Sequence, residues 1–282
     1  MSDGWVLVTG ATGKTGTHVV SGLRRLGHAV RAATRRPAAG DGDAVPFDWA
    51  DHTTFPAALA DVRAIYLVAP AGVADPLPLV RPFLELAAAG GVRRVVQLSS
   101  SAVARGEPAL GQIHDAVADL SDEYTVLRPS WFMQNFVGEH LLAEGIRRNR
   151  ELTTATGDGR LGFIDAADIA AVAVQALVSR APIAEELVLT GPEALSYPQA
   201  AAIVAEVIGG PVTHVDLTTA ELTTRLVESG LPPDFAPGLA ALDERIRRGE
   251  QDFVTTAVRD VTGRAPTSLR DFLTRHAELL TP

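Results

Sequence analysis

Apolar residues fall along this chain in short unbroken runs separated by stretches of helical period. WVLVT (5–9) is one such run, the pattern of a strand buried on both faces. Residues 14–26 follow, with Val19, Val20, Leu23 and Leu26 on one helical face. AVRAA (29–33), AIYLVA (64–69), RVVQL (94–98) and YTVLR (124–128) predict further strands, with helix-like stretches at about 53–60, 76–90 and 110–120 between them. DIAAVAVQALV (168–178) predicts a helix with Asp168 as its possible N-cap, and ELVLT (186–190) another strand. Strand–helix alternation of this kind predicts an α/β fold, a Rossmann-type doubly wound parallel sheet. From about residue 191 the pattern changes. Pro-rich turns such as GLPPDFAPG (230–238) separate short helices, which predicts a smaller C-terminal α/β lobe at the sheet's carboxyl edge, where ligands of such folds sit.

Composition narrows the picture without redirecting it. The 282 residues, 46% hydrophobic and 21% charged, suit one large domain, or a domain with a smaller lobe, and a sizeable core. A formal net charge of −9, with no basic run beyond short Arg pairs, disfavours nucleic acid and anionic membranes as partners. The absence of cysteine excludes disulfides, thiolate chemistry and Cys-ligated metals. MSDGWVLV has no signal-peptide character, and no apolar run reaches the ~18 residues of a membrane span, so a cytoplasmic protein is expected. Lys14 is the only lysine.

Residues 8–16, VTGATGKTG, admit two readings. A nucleotide-triphosphate loop ending in Gly13-Lys14-Thr15 requires a glycine at position 8, and Val8 stands there, inside the first strand. The dinucleotide reading fits better. Gly10 makes the tight turn, Gly13 lets backbone approach a pyrophosphate, and Gly16 allows close helix–strand packing. The helix N-terminus then offers N–H groups and positive dipole to the phosphates. The spacing is Gly-x-x-Gly-x-x-Gly, not Gly-x-Gly-x-x-Gly.

The end of the second strand selects between the two nicotinamide dinucleotides. An NAD enzyme usually places Asp or Glu there to bond the ribose 2′-hydroxyl. Here the chain reads Ala33-Thr34-Arg35-Arg36-Pro37. Guanidinium groups pair with a 2′-phosphate that a carboxylate would repel. The reading is NADP(H), with Arg35 as main contact, Thr34 and Arg36 beside it, and Lys14 as a further cation. Residues 1–129 with about 162–190 are therefore expected to form an NADP-binding Rossmann domain. About 130–161 and 191–282 would form a substrate-binding lobe.

TGATGKTG, the Arg pair, FDW (47–49), VAP (68–70), LSSS (98–101), LRPSWFMQNF (127–136) and TGDGRLGFIDAADIA (156–170) together resemble the NmrA-like group, an atypical branch of the short-chain dehydrogenase/reductase superfamily. The chain looks most similar to bacterial NAD(P)H quinone oxidoreductases and to reductases of ergot-type alkaloid biosynthesis. The resemblance implies that Thr9, Gly10, Thr12, Gly13, Lys14, Thr15 and Gly16 hold the pyrophosphate and Arg35 the 2′-phosphate. It implies that Asp48, ending a third strand, meets the adenine edge, and that Ala69 and Pro70 lie over the adenosine ribose. Pro129 and Ser130 would border the nicotinamide, and Ser99 is a further expected cofactor contact. Trp131, Phe132, Asn135 and Phe136 would face the substrate.

Superfamily members that reduce ketones usually use Tyr-x-x-x-Lys, in which Tyr protonates the nascent alkoxide. This chain has no such motif, and His114 and Leu110 stand near the Lys and Tyr positions. Three readings stay open. The substrate needs little acid help, as with iminium ions, quinones and other conjugated acceptors. His114, with Ser101, supplies the proton instead. Or the protein is a non-catalytic NADP-binding sensor, as in the regulatory branch of the group. An isomerase recycling bound NADP lacks the Tyr acid/base. No His spacing suggests a metal, and no Ser-His-Asp elbow is present. The expectation is an NADPH-dependent reductase of a small organic molecule, a monomer or homodimer. The redox sensor is the alternative.

Overall fold

The structure, a computed structural model, describes residues 4–37 and 42–281. Met1–Asp3 and residues 38–41, parts of the expected first domain, lie outside the described residues. The chain divides into two compact units, Met1–Pro129 with Ile169–Val188, and Ser130–Asp168 with Leu189–Pro282.

The first unit is built on a sheet of β1 (Trp5–Val8), β2 (Val30–Thr34), β3 (Ala44–Pro46), β4 (Val62–Val68), β5 (Arg94–Leu98), β6 (Glu123–Pro129) and β9 (Glu186–Leu189). The strand order is β3-β2-β1-β4-β5-β6-β9, and every register from β3 to β6 is parallel. Beginning at β1 the chain winds one way to β3 and then crosses back through β4 to β6, which is the doubly wound order with a switch point at β1 and β4. Helices α1 (Gly16–Arg25), α2 (Phe55–Leu59), α3 (Leu77–Ala89), α4 (Leu110–Leu120) and α6 (Ala166–Val178) make the crossovers. The continuous apolar runs do what their pattern demands. Val6, Leu7, Val8, Ile65 and Leu67 have no exposed surface, and Phe55 and Phe83 fill the layer between sheet and helices. Burying each such side chain contributes about 1.5–3 kcal/mol before entropy is counted.

Two contacts tie the later chain segment into this unit. A Cβ on Gly22 of α1 would come within 2.9 Å of Val174 Cγ2 on α6, so only glycine admits that approach. Arg94 of β5 is 8% exposed, and its guanidinium donates to Ala176 O and Ser179 O at 3.2 and 2.6 Å while pairing with Glu123 at 2.6 Å. The side chain thereby satisfies carbonyls that the end of α6 leaves without partners.

Helix α6 starts two residues before the expected boundary, and Asp168 is not its cap. Asp165 fills that place, its Oδ1 accepting the Ala167 N–H at 3.0 Å. Asp168 lies in the first turn and accepts the Thr267 N–H at 2.7 Å. The stretch 53–60 resolves into a short turn at His52–Thr54 followed by α2.

The second unit carries two small sheets. β7 (Glu151–Thr154) pairs in parallel with β11 (Thr213–Asp216), and β8 (Arg160–Leu161) pairs antiparallel with β10 (Leu195–Ser196). Helices α5 (Leu141–Asn149), α7 (Tyr197–Ile208), α8 (Thr219–Glu228), α9 (Ala236–Arg247), α10 (Ala257–Thr262) and α11 (Leu269–Arg275) surround them. Reciprocal capping boxes, Ser196 with Gln199 and Thr218 with Glu221, start α7 and α8. Phe136, Phe163, Tyr197 and Phe272 form the centre of this unit's core.

Candidate functional site

The turn between β1 and α1 is held from below by buried hydrogen bonds. The Thr9 N–H donates to Tyr66 O at 3.0 Å, and Thr9 Oγ1 accepts the Val68 N–H at 2.7 Å. The wholly buried Tyr66 hydroxyl donates to Thr15 Oγ1 at 3.0 Å, and burial pushes its pKa up. The side chains of Thr9 and Thr15 therefore brace the loop. Gly10 has φ +61°, a conformation glycine adopts without strain. A Cβ on Gly16 would run into the Gly10 carbonyl oxygen, so that helix start can close on the strand only because residue 16 has no side chain. Helix α1 has no side-chain N-cap and no acid in its first turn, leaving positive dipole at the loop. Thr12 and Lys14 stand exposed on this loop.

A cavity of about 410 Å³ runs from Thr12 and Thr17 past Arg24 to Thr34 and Arg36 at the end of β2. Among the described residues its lining offers hydroxyls and guanidinium groups and no carboxylate. Arg24 is paired with Asp43 at 2.9 Å. Arg36, whose own N–H donates to Thr34 Oγ1 at 3.3 Å, lines the cavity, and Arg35 does not. The two neighbours differ because successive side chains at a strand end alternate direction. This lining suits a phosphorylated ribose.

The other expected cofactor residues fall as follows. Asp48 lies past the end of β3, and its Oδ1 accepts the Ala50 N–H at 3.0 Å, a turn-forming role. Ala69 and Pro70 are half-buried just past β4. Ser99 is buried beyond β5, its N–H bonded to Leu127 O at 2.7 Å. Pro129 ends β6, and the buried Ser130 donates its N–H to Leu189 O at 2.9 Å.

The expected proton donors are placed elsewhere. His114 on α4 is 4% exposed, with Nδ1 3.7 Å from Glu186 Oε2 and its ring edge toward Tyr124. Burial lowers its pKa against the opposing pull of Glu186, so the ring is neutral near pH 7. It lines neither this cavity nor the one below. His114 thus stands apart from both cavities, buried beside Glu186. Ser101 is buried, its N–H on Pro129 O at 2.9 Å and its carbonyl accepting from Arg128 at 3.0 Å.

A second cavity, about 700 Å³, lies in the second unit. Trp131 and Asn135 line it; Phe132 is half-buried outside it, with a strand-like bridge to Ile164. Phe136, expected to face substrate, is 1% exposed and packs edge-on to Phe163 at 5.2 Å, so it belongs to the core. The sequence reading passed over the rest of the wall, which includes Glu144 and Arg147 of α5, Leu222 and Leu226 of α8, Leu242 and Asp243 of α9, and Tyr197. One signal was there to be found: Asp243 stands on the buried stripe Ala236, Ala240, Ile246 of an otherwise charged helix. Its Oδ2 accepts the Ala155 N–H at 2.9 Å, and burial pushes its pKa up to about 6. Among the described residues, no group of three His, Cys, Asp or Glu is placed to hold a metal, and no helix is long and apolar enough to cross a membrane.

A doubly wound sheet with a glycine-braced, acid-free helix start after β1 defines a dinucleotide-binding oxidoreductase fold. The family model described as NAD(P)H-binding matches residues 10–180, and the chain belongs to that family. It is 45% identical to an oxidoreductase of Bacillus subtilis (strain 168), YesF, over 98% of this chain and 96% of the relative. It is 38% identical to agroclavine dehydrogenase of Claviceps fusiformis, over 95% and 96% of the two chains. Among solved structures it is similar to an NADPH-dependent quinone oxidoreductase from Escherichia coli complexed with NADPH, with a TM-score of 0.82 and 25% identity over 96% of this chain and 99% of the other. The protein is thus an NAD(P)H-dependent reductase of the atypical short-chain dehydrogenase/reductase type, in the NmrA-like group.

Proposed function

We propose that this protein prefers NADPH and reduces a small conjugated or imine-type organic molecule, a quinone, iminium, enone or ketone. The observation that carries the cofactor choice is the end of β2, where Thr34 and Arg36 line a cavity shared with Thr12 that has no carboxylate among its described residues. In this reading Gly10, Gly13, Lys14 and Gly16 form the loop that holds the pyrophosphate at the start of α1. Arg36, with Arg35 and Thr34, holds the 2′-phosphate. Ala69 and Pro70 border the adenosine, Pro129 and Ser130 the nicotinamide, and Ser99 is a further cofactor contact. Bound reduced nicotinamide supplies the hydride. Trp131 and Asn135 border the substrate.

The acceptor class follows from the missing acid. Tyr-x-x-x-Lys is absent and His114 is buried against Glu186, so the chain favours acceptors whose reduced form is neutral or a stabilised oxyanion. The names of the relatives, agroclavine dehydrogenase among them, and of the similar quinone oxidoreductase support the same range. A cavity of about 700 Å³ lined by Trp131 and leucines is of the size that takes such molecules, which favours a reductase over a sensor. The test is NADPH oxidation, followed at the nicotinamide absorbance, against a panel of quinones, cyclic imines and enones, with NADH in parallel. Turnover with one class, at a lower KM for NADPH than for NADH, supports the reading. Tight cofactor binding with no turnover across the panel would assign the protein to the sensors.

A further inference from the structure

The 700 Å³ cavity of the second unit contains one chemical anomaly. Its wall combines leucines, among them Leu222 and Leu226 on α8 and Leu239 and Leu242 on α9, with the charged side chains of Glu139, Glu144, Arg147 and Arg148. Into this surface α9 sets a carboxylate, Asp243, bonded through Oδ2 to a single backbone N–H, that of Ala155. Three cations stand nearby, and Arg147, in the lining itself, donates to Leu279 O at 3.5 Å. Arg247 binds Asp216 at 2.6 Å and Arg148 binds Glu144 at 2.7 Å. An ionised carboxylate in apolar surroundings is costly unless an opposite charge meets it, and the protein brings none to Asp243 within salt-bridge distance. Tyr197 lines the same cavity, and its buried phenol is held neutral by desolvation and by Asp243 itself. Thr153, also in the lining, keeps Oγ1 buried with no hydrogen-bond partner. A leucine-rich hollow whose lining carries three carboxylates, Asp243, Glu139 and Glu144, against the guanidinium groups of Arg147 and Arg148, with a spare oxygen acceptor, is complementary to an apolar body carrying N–H donors and positive charge.

We propose that this cavity binds an apolar organic amine in its protonated form, with Asp243 as the anion that receives the ammonium group. The inference rests on the reductase reading, since the amine is taken to be part of the substrate, and it narrows that reading to nitrogenous molecules. Asp243 is then a specificity-determining residue, selecting by charge before any chemistry occurs.

The full-length protein, saturated with NADP+, is titrated calorimetrically at pH 7.5 with aminotetralin and with its neutral isostere tetralol. Aminotetralin is expected to bind at least about tenfold tighter, the scale of one hydrogen bond to a charged partner. Asp243→Asn, which keeps an acceptor for the Ala155 N–H, should abolish that ratio and leave tetralol binding within about twofold of wild type. A wild-type ratio near one overturns the proposal without any variant. So does a preference that survives Asp243→Asn. Loss of kcat in the variant with an unchanged ratio would make Asp243 a proton donor and overturn it as well. Absence of turnover on the whole acceptor panel, with the amine preference intact, would sink the reductase reading alone. Turnover of neutral quinones with no amine preference would sink this proposal alone.

Discussion

At the scale of single residues, charge direction decides more than charge count. Arg35 and Arg36 are adjacent and chemically identical, yet only Arg36 shares a cavity with Thr12 and Thr34. A charge-assisted bond to a phosphate contributes about 1.5–3 kcal/mol, so Arg36→Glu should weaken NADPH roughly tenfold to a hundredfold, more than Arg35→Glu does, and spare NADH. Equal losses for both cofactors, read from fluorescence titrations, would remove Arg36 from the 2′-phosphate. His114 presents the opposite case. Losing a general acid costs roughly a hundredfold or more, whereas His114→Leu is expected to change kcat by less than about threefold. Burial keeps the His114 pKa below its ordinary value, so the unfolded chain takes up a proton that the folded chain refuses as pH falls through about 6.5. The wild type therefore loses stability on acidification below that value, and the Leu variant loses less over the same window, as thermal melts at pH 7.5 and 5.5 would register. A hundredfold fall in kcat would restore His114 to catalysis. The glycines were legible because their constraint is steric and local: Gly16 faces the Gly10 carbonyl whatever lies further off. The burial of His114 beside Glu186 was not, because position on a helix does not say which way the ring faces.

At the scale of elements, the legible ones are those whose own sequence carries the full signal. RVVQL and the helix over 110–120 fall where the periodicity puts them, since both faces of β5 are buried and α4 has one apolar stripe. β7 and β11 escaped, because ELTT and THVD are short and polar and become strands only by pairing with each other. Helix α9 conceals its key residue differently. In LDERIRRGE the acid at 243 reads as one surface charge among several, and only the stripe of Ala236, Ala240 and Ile246 marks it as inward. That placement has a thermodynamic consequence. Desolvation raises the Asp243 pKa to about 6, with Asp216 adding to the rise and the Ala155 N–H and Arg247 opposing it. The folded state thus holds a proton that the unfolded chain gives up at ordinary carboxyl pH. Stability falls as pH rises from about 4 to about 6 and stays lowered above it. Asp243→Asn should therefore stabilise the protein by about 1–3 kcal/mol at pH 7.5 and by much less at pH 4.5. Scanning calorimetry at the two pH values checks this, and an equal effect at both would mean that ionisation of Asp243 is not the cause.

At the scale of the molecule, the chain leaves its first unit at Pro129 and returns to it at Ile169. The return supplies what the sheet lacks. β9 lies against β6, with the Val126 N–H on Glu185 O at 2.8 Å, and α6 packs its Val174 on Gly22. Without residues 169–188, β6 becomes an exposed edge and the Arg94 guanidinium loses the Ala176, Leu177 and Ser179 carbonyls, which leaves a cation half-satisfied in the core. A fragment ending at Pro129 is thus expected to lack a cooperative melt and to bind hydrophobic dyes, although it holds the whole glycine loop and both arginines. Joining residues 1–129 to 169–188 through a Gly/Ser linker of about ten residues should restore a cooperative transition and measurable NADPH binding. A fragment 1–129 that melts cooperatively by itself would show that the returning segment is dispensable. If the joined protein folds but does not bind NADPH, the second unit contributes to cofactor affinity through residues such as Ser130. If it binds at near-full affinity, the second unit's task is confined to the molecule being reduced, and the apolar cavity around Asp243 becomes the place where that molecule is chosen.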